Sequence, residues 1–161
     1  MGFTPTGASR QSKYIESVGI KEALRYSPHL RFEDRRELMG VGHHPMVALP
    51  LSVGLSSDPI KFFNQDRQVA GFAGVVDEGN GVGRIWMLCT PAVEKMPFIL
   101  VREAKEWISS QPYHMLHNIA DPRNRAHLKL LTLLGFKRLS YVPVGPKRHT
   151  YVEFAKLCAI Q

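Results

Sequence analysis

Two cysteines in 161 residues, Cys89 and Cys158, stand far apart and match neither a disulfide framework nor a metal or redox spacing. Long apolar runs are missing as well. None, Met96 to Val101 included, approaches the ~20 residues a bilayer-spanning helix needs. The opening stretch, "MGFTPTGASRQSKY", lacks the apolar core of a secretory signal, so the sequence predicts a cytoplasmic or particle-internal location without a membrane partner. Acidic residues are scarce: 14 Asp and Glu face 21 Lys and Arg, a net charge of +7. That excess favours acidic partners such as nucleic acid, an anionic cofactor or an acidic protein face. The basic residues form no dense run and do not alternate with aromatics, so the charge sets a partner's sign and not its identity.

What is present suits one globular domain. The hydrophobic fraction is 44%, enough for a single sizeable core. Residues 1–13 are small and polar and read as an arm, leaving 14–161 as one domain without internal repeat. "SVGIKEALRYSPHLRFEDRRELMGVG" predicts two helical pieces broken at Ser27-Pro28, since proline disfavours helix in the residue before it. In the second piece Leu30, Phe32, Leu38 and Met39 offer apolar contacts, "EDRRE" reads as a solvated face, and Phe32 and Arg36 sit one turn apart. His43-His44, beside Gly42 and Pro45, reads as loop rather than metal chelate, and "PLSVGLSS" as a short helix.

Downstream the period changes. "FFNQDRQVAGFAGVV" predicts a hairpin turning near Asn64-Gln65-Asp66, "DEGNGVG" a tight glycine turn, and "RIWMLCT" a third strand. A helix opens at Pro97 and buries Leu100, Ala104, Trp107 and Ile108. "HMLHNIAD" gives a strand, and "NRAHLKLLTLL" a helix capped by Asp121 or Asn124 and stopped by Gly135. Two terminal strands follow, in "FKRLSYVPVG" and "RHTYVEFAKL". The order implies a mixed α/β sheet covered by helices.

"IADPRNRAHLKLLTLLGFKRL" resembles the last conserved block of the GCN5-related N-acetyltransferase (GNAT) fold, with Asn124, Ala126, Gly135 and Phe136 at its characteristic positions. With the upstream order of elements, the resemblance covers about residues 15 to 155 and implies a GNAT-like, mostly antiparallel sheet flanked by helices. Four stretches, "HLRFEDRREL", "WMLCTPAVEKMP", "LVREAKEW" and "ADPRNRAHLKLLTLLGF", are also similar to the acetyltransferase-like internal virion proteins (internal virion protein A type) of short-tailed bacteriophages. That resemblance implies a role in virion assembly, with other virion or assembly proteins as partners, packaged DNA as a further one, and the phage virion and host cytoplasm as its locations.

An active enzyme of the GNAT fold cradles the diphosphate of acetyl-CoA on a glycine-rich turn, so that backbone N–H groups approach the phosphates at a helix N-terminus. Here the turn is "TPAVEKMPF": it has no glycine, Pro97 removes a donor, and Glu94 adds a like charge. In many members a tyrosine four residues before the Gly-Phe pair protonates the leaving thiolate. This chain has Leu131 there. As bases, Asp77, Glu78 and Asp121 read first as turn or cap residues, and His114 and His117 as hydrogen-bonded strand residues.

The expectation is a protein with no catalytic residue and no cofactor. If acetyl-CoA does bind, the resemblance puts it against Leu88, Thr90, Glu94, Lys95, Met96 and Asn124. An active N-acetyltransferase is the alternative, and a basic nucleic-acid-binding accessory protein the third reading.

Overall fold

The computed structural model describes residues 12–158, so residues 1–11 of the expected arm lie outside it. Seven strands form one sheet: β1 (Ile15–Ser17), β2 (Ile60–Phe63), β3 (Val69–Asp77), β4 (Val82–Cys89), β5 (Met115–Ala120), β6 (Lys137–Val144) and β7 (His149–Leu157). Their order is β1-β2-β3-β4-β5-β7-β6. Every neighbouring pair is antiparallel except β4–β5. Five helices accompany the sheet: α1 (Ile20–Tyr26), α2 (Phe32–Gly40), α3 (Pro45–Leu55), α4 (Pro97–Ser109) and α5 (Arg125–Leu133). This is the mixed, mostly antiparallel sheet flanked by helices that the resemblance implied.

Alternation along β3 and β4 divides the core into two sides. Phe72 and Leu88 point to one face, where Val18, Ala23, Leu30, Leu49 and Val53 close over them from α1, α3 and their flanks. Val75 and Ile85 point to the other, under Ile108 of α4 and Leu128, Leu130 and Leu131 of α5. The helix signals act where the sequence placed them. Pro97 opens α4, Asn124 caps α5 by accepting from His127 N–H at 3.4 Å, and Gly135, at φ +88°, ends it with the left-handed turn that a side chain resists. No single helix among the described residues is long and apolar enough to cross a membrane.

Three details depart from the sequence reading. A three-residue edge strand, β1, pairs with β2 just after the expected arm, too short to show a period. Helix α3 begins at Pro45, inside the stretch read as loop, because His44 caps it: the His44 Nδ1 accepts from Met46 N–H at 3.2 Å. The third concerns "EDRRE", which is not a solvated face. Asp34 is 5% exposed, while Phe32 and Met39 stand out at 57% and 55%. Helix α2 turns its carboxylates inward because the ends of β4 and β5 present main-chain groups that need partners. Phe32 stays outside, with the Arg36 guanidinium over its ring at 5.4 Å.

Candidate functional site

Strands β4 and β5 pair for only three residues, from Val82↔Met115 to Arg84↔His117, and then part. Thr90 N–H donates to Ala70 O at 2.9 Å across the β3–β4 ladder. Even-numbered residues of β4 therefore bond toward β3, and Ile85, Met87 and Cys89 turn their peptide groups into the gap. An apolar cavity of about 620 Å³ runs through this gap, lined among others by Met87, Leu88, Leu100, Ala104, Trp107 and Leu131.

Most polar groups on the rim of the gap are already bonded within the chain. Asn118 Nδ2 donates to Ile85 O at 2.7 Å. Cys89 N–H donates to Asp34 Oδ2 at 2.8 Å, and Cys89 O accepts from Arg31 N–H at 2.8 Å. On the β5 side Asp121 N–H donates to Glu37 Oε1 at 3.1 Å. Asn124 Nδ2 is shared between Asp34 Oδ1 at 3.2 Å and Glu37 Oε2 at 3.1 Å, and His127 Nδ1 lies 3.5 Å from Glu37 Oε2. Tyr151 Oη donates to Glu37 O at 2.8 Å. Helix α2 is thus bolted across the mouth of the gap, tying β4 to β5. Among the described residues Met87 alone of the three gap-facing β4 residues has neither peptide group bonded.

The electrostatics follow from burial and from this pairing. Burial raises the Asp34 pKa, partly countered by the Cys89 N–H and Arg31. Burial also pushes the Cys89 thiol well above its ordinary value, with Asp34 adding to the effect, so it is an inert core thiol. For His127 burial works downward, but the hydrogen bond and charge of Glu37, with Asp34, win and raise its pKa. Burial of Asp121 is likewise outweighed by its hydrogen bonds and ion pair with Arg123, and its pKa falls. The Tyr151 phenol is pushed up to about 12 by burial and by Asp121 and Glu37.

Of the six residues tied to a cofactor, two line the cavity and four do not. Leu88 and Met96 line the cavity. Thr90 is buried, donates from Oγ1 to Val69 O at 2.7 Å and accepts from Ala92 N–H at 3.3 Å. Asn124 is spent on α2 and on its own helix. Glu94 and Lys95 are exposed, with Lys95 Nζ 3.8 Å from Asp66 Oδ2. Residues Pro91–Lys95 coil into a 3₁₀ turn whose amides bond inward, Val93 N–H to Thr90 O at 3.2 Å and Met96 N–H to Val93 O at 3.1 Å. Among the described residues, only the Phe98 and Ile99 amides remain without a partner in α4's first turn. Such a turn does not fit a diphosphate.

The candidate acid–base groups are dispersed too. Asp77 Oδ1 closes the hairpin turn by accepting from Gly79 N–H at 2.8 Å, and Asp121 Oδ1 accepts from Arg123 N–H at 2.9 Å. Glu78 and His117 pair with each other at the opposite, closed end of the gap. Tyr113 is core, Tyr141 stands exposed on β6, and Tyr151 reaches the cavity wall with its hydroxyl already donated. Sequence reasoning missed Asp34, Glu37 and Tyr151. For Asp34 and Glu37 the one local signal was a helix carrying charge where an amphipathic pattern wants apolar residues.

No family profile and no curated protein matches the chain. Solved structures do. A GNAT-family acetyltransferase from Streptococcus pneumoniae aligns over 90% of this chain and 98% of its own, at 16% identity and a TM-score of 0.60. A GNAT-superfamily phosphinothricin acetyltransferase from Sinorhizobium meliloti, solved with acetyl-CoA, aligns over 90% and 88%, at 10% identity and 0.66. Spermidine N-acetyltransferase from Vibrio cholerae, solved with CoA and spermine, aligns over 89% and 94%, at 9% identity and 0.62. With the sheet order, the parted β4–β5 pair and the helices on both faces, these matches show that the chain has the fold of the GCN5-related N-acetyltransferases.

Proposed function

We propose that this chain is a non-catalytic acetyltransferase-fold protein, working as an internal or assembly component of a short-tailed phage particle in the host cytoplasm and the virion. The observation that carries the non-catalytic reading is the bolted mouth. An extended cofactor arm entering the gap needs the outward peptides of β4, and α2 already holds those of Cys89. At the α4 terminus a diphosphate meets a glycine-free turn, a proline and an exposed carboxylate in place of a ring of amides. The helix dipole alone contributes roughly 0.3–1 kcal/mol there, too little to hold a multiply charged ligand. Placement in a particle rests on the resemblance of the four stretches, and the net charge of +7 suits packaged DNA or acidic virion proteins as neighbours.

The alternative is an acetyl-CoA-dependent N-acetyltransferase. It is favoured by the solved neighbours that carry acetyl-CoA or CoA and by the open cavity with its unbonded Met87 peptide. Calorimetric titration with acetyl-CoA at physiological salt separates the two. The first reading expects no heat of binding, and low-micromolar affinity overturns it. A mass-spectrometric inventory of purified particles, made with and without this chain, tests the placement. The chain's absence from both particles and assembly intermediates defeats it.

A further inference from the structure

From Pro122 to Val152 the sequence contains no Asp or Glu, while Arg123, Arg125, Lys129, Lys137, Arg138, Lys147 and Arg148 all fall within it. The fold gathers part of this segment into a groove of about 530 Å³ between α5 and β6, lined by Arg125, Lys129, Thr132, Leu133, Arg138 and Tyr141. Arg125, Lys129 and Thr132 share one face of α5 at i, i+4 and i+7. Arg138 and Tyr141, three residues apart, would point to opposite sides of a regular strand. A bulge between them sets Arg138 opposite Phe154 and Tyr141 opposite Val152, so both turn toward α5. None of the three cations has an ion-pair partner among the described residues, and Tyr141 is 63% exposed.

The geometry points to a binding groove for single-stranded nucleic acid, with Arg125, Lys129 and Arg138 on its phosphates and Tyr141 stacked on a base. Cations on both walls and no carboxylate among its lining residues make the groove complementary to a polyanion. The exposed aromatic ring among those cations favours a single strand, whose bases are free to stack, over a duplex, whose bases are not. The site lies outside the parted strands, so it stands whether or not the chain binds acetyl-CoA.

Fluorescence anisotropy with a labelled 20-nucleotide oligothymidine tests it. The wild type should bind with a log–log salt slope of about −2, as expected for three phosphate contacts at about −0.7 each. R125Q/K129Q/R138Q should abolish that slope and most of the affinity. Tyr141→Leu should weaken binding by about 5- to 150-fold, the worth of one stacked base, and leave the slope unchanged. Removing exposed cations on α4 with R102Q/K105Q should leave binding near wild type, and circular dichroism should find every variant folded. The proposal is overturned by a flat salt response, by a triple variant that binds like the wild type, or by an equal loss in the α4 variant. Tighter binding to a 20-bp duplex, with Tyr141→Leu silent, overturns it as well.

Discussion

Removing the Asp34 carboxylate probes the bolt directly. Asp34 accepts from Cys89 N–H at 2.8 Å and from Asn124 Nδ2 at 3.2 Å, and both donors are buried. Asp34→Ala leaves the Cys89 amide without a partner, at about 1–3 kcal/mol, and leaves Asn124 Nδ2 with Glu37 Oε2 alone. Part of that is offset, because the carboxylate itself suffers from burial, as its raised pKa records. The expected net cost is about 1–3 kcal/mol. Asp34→Asn keeps an acceptor for the Cys89 amide and should cost about 1 kcal/mol. Urea unfolding followed by circular dichroism reads both. With an m-value near 2 kcal/mol/M, the alanine variant's midpoint should fall by about 0.5–1.5 M and the asparagine variant's by about 0.5 M or less. A cost below 1 kcal/mol for alanine, or equal costs for the two, would refute the view that α2 is fastened through this carboxylate.

Other expectations follow from the same cluster. The folded-state pKa of His127 lies above 6.5, so its stabilising charge is fully present below that pH and is lost as pH rises through the raised value. His127→Gln should flatten the midpoint between pH 6 and 9, and an unchanged pH profile in the variant would count against the Glu37 pairing. Tyr151→Phe removes the bond to Glu37 O and should cost about 1 kcal/mol at neutral pH. The wild type's extra stability should then disappear between pH 10 and about 12, where the phenol ionises only after folding is lost. A Cβ on Gly40 would stand 2.1 Å from Tyr151 Oη, so Gly40→Ala should cost about 1–3 kcal/mol alone and less beside Tyr151→Phe, and a double-mutant cycle measures the difference. Finally, a thiol reagent should titrate one cysteine in the folded chain, Cys158, and two in denaturant. Fast reaction at Cys89 would contradict its burial.

Much of the fold was legible because its signals are local. Pro97, Asn124 and Gly135 act within one helical turn of themselves, and the period-2 stretches of β3 and β4 need only their own alternation to be seen. The glycine-free turn after β4 was likewise readable, since a missing amide cradle is a matter of residue type. Where Asp34 and Glu37 point was not readable. They sit 55 and 87 residues from Cys89 and Asn124, and an amphipathic reading of α2 assigns charge to solvent by default. The default fails here because unbonded peptide groups at the ends of β4 and β5 cost more to leave bare than two carboxylates cost to bury against them. Likewise the acid-free segment was written in the sequence, but a one-residue bulge decided that Arg138 and Tyr141 share a wall with α5. Chain chemistry set the elements, their order and the sign of the charge. Only the packed sheet decided which polar groups lacked partners, and so which helix had to supply them.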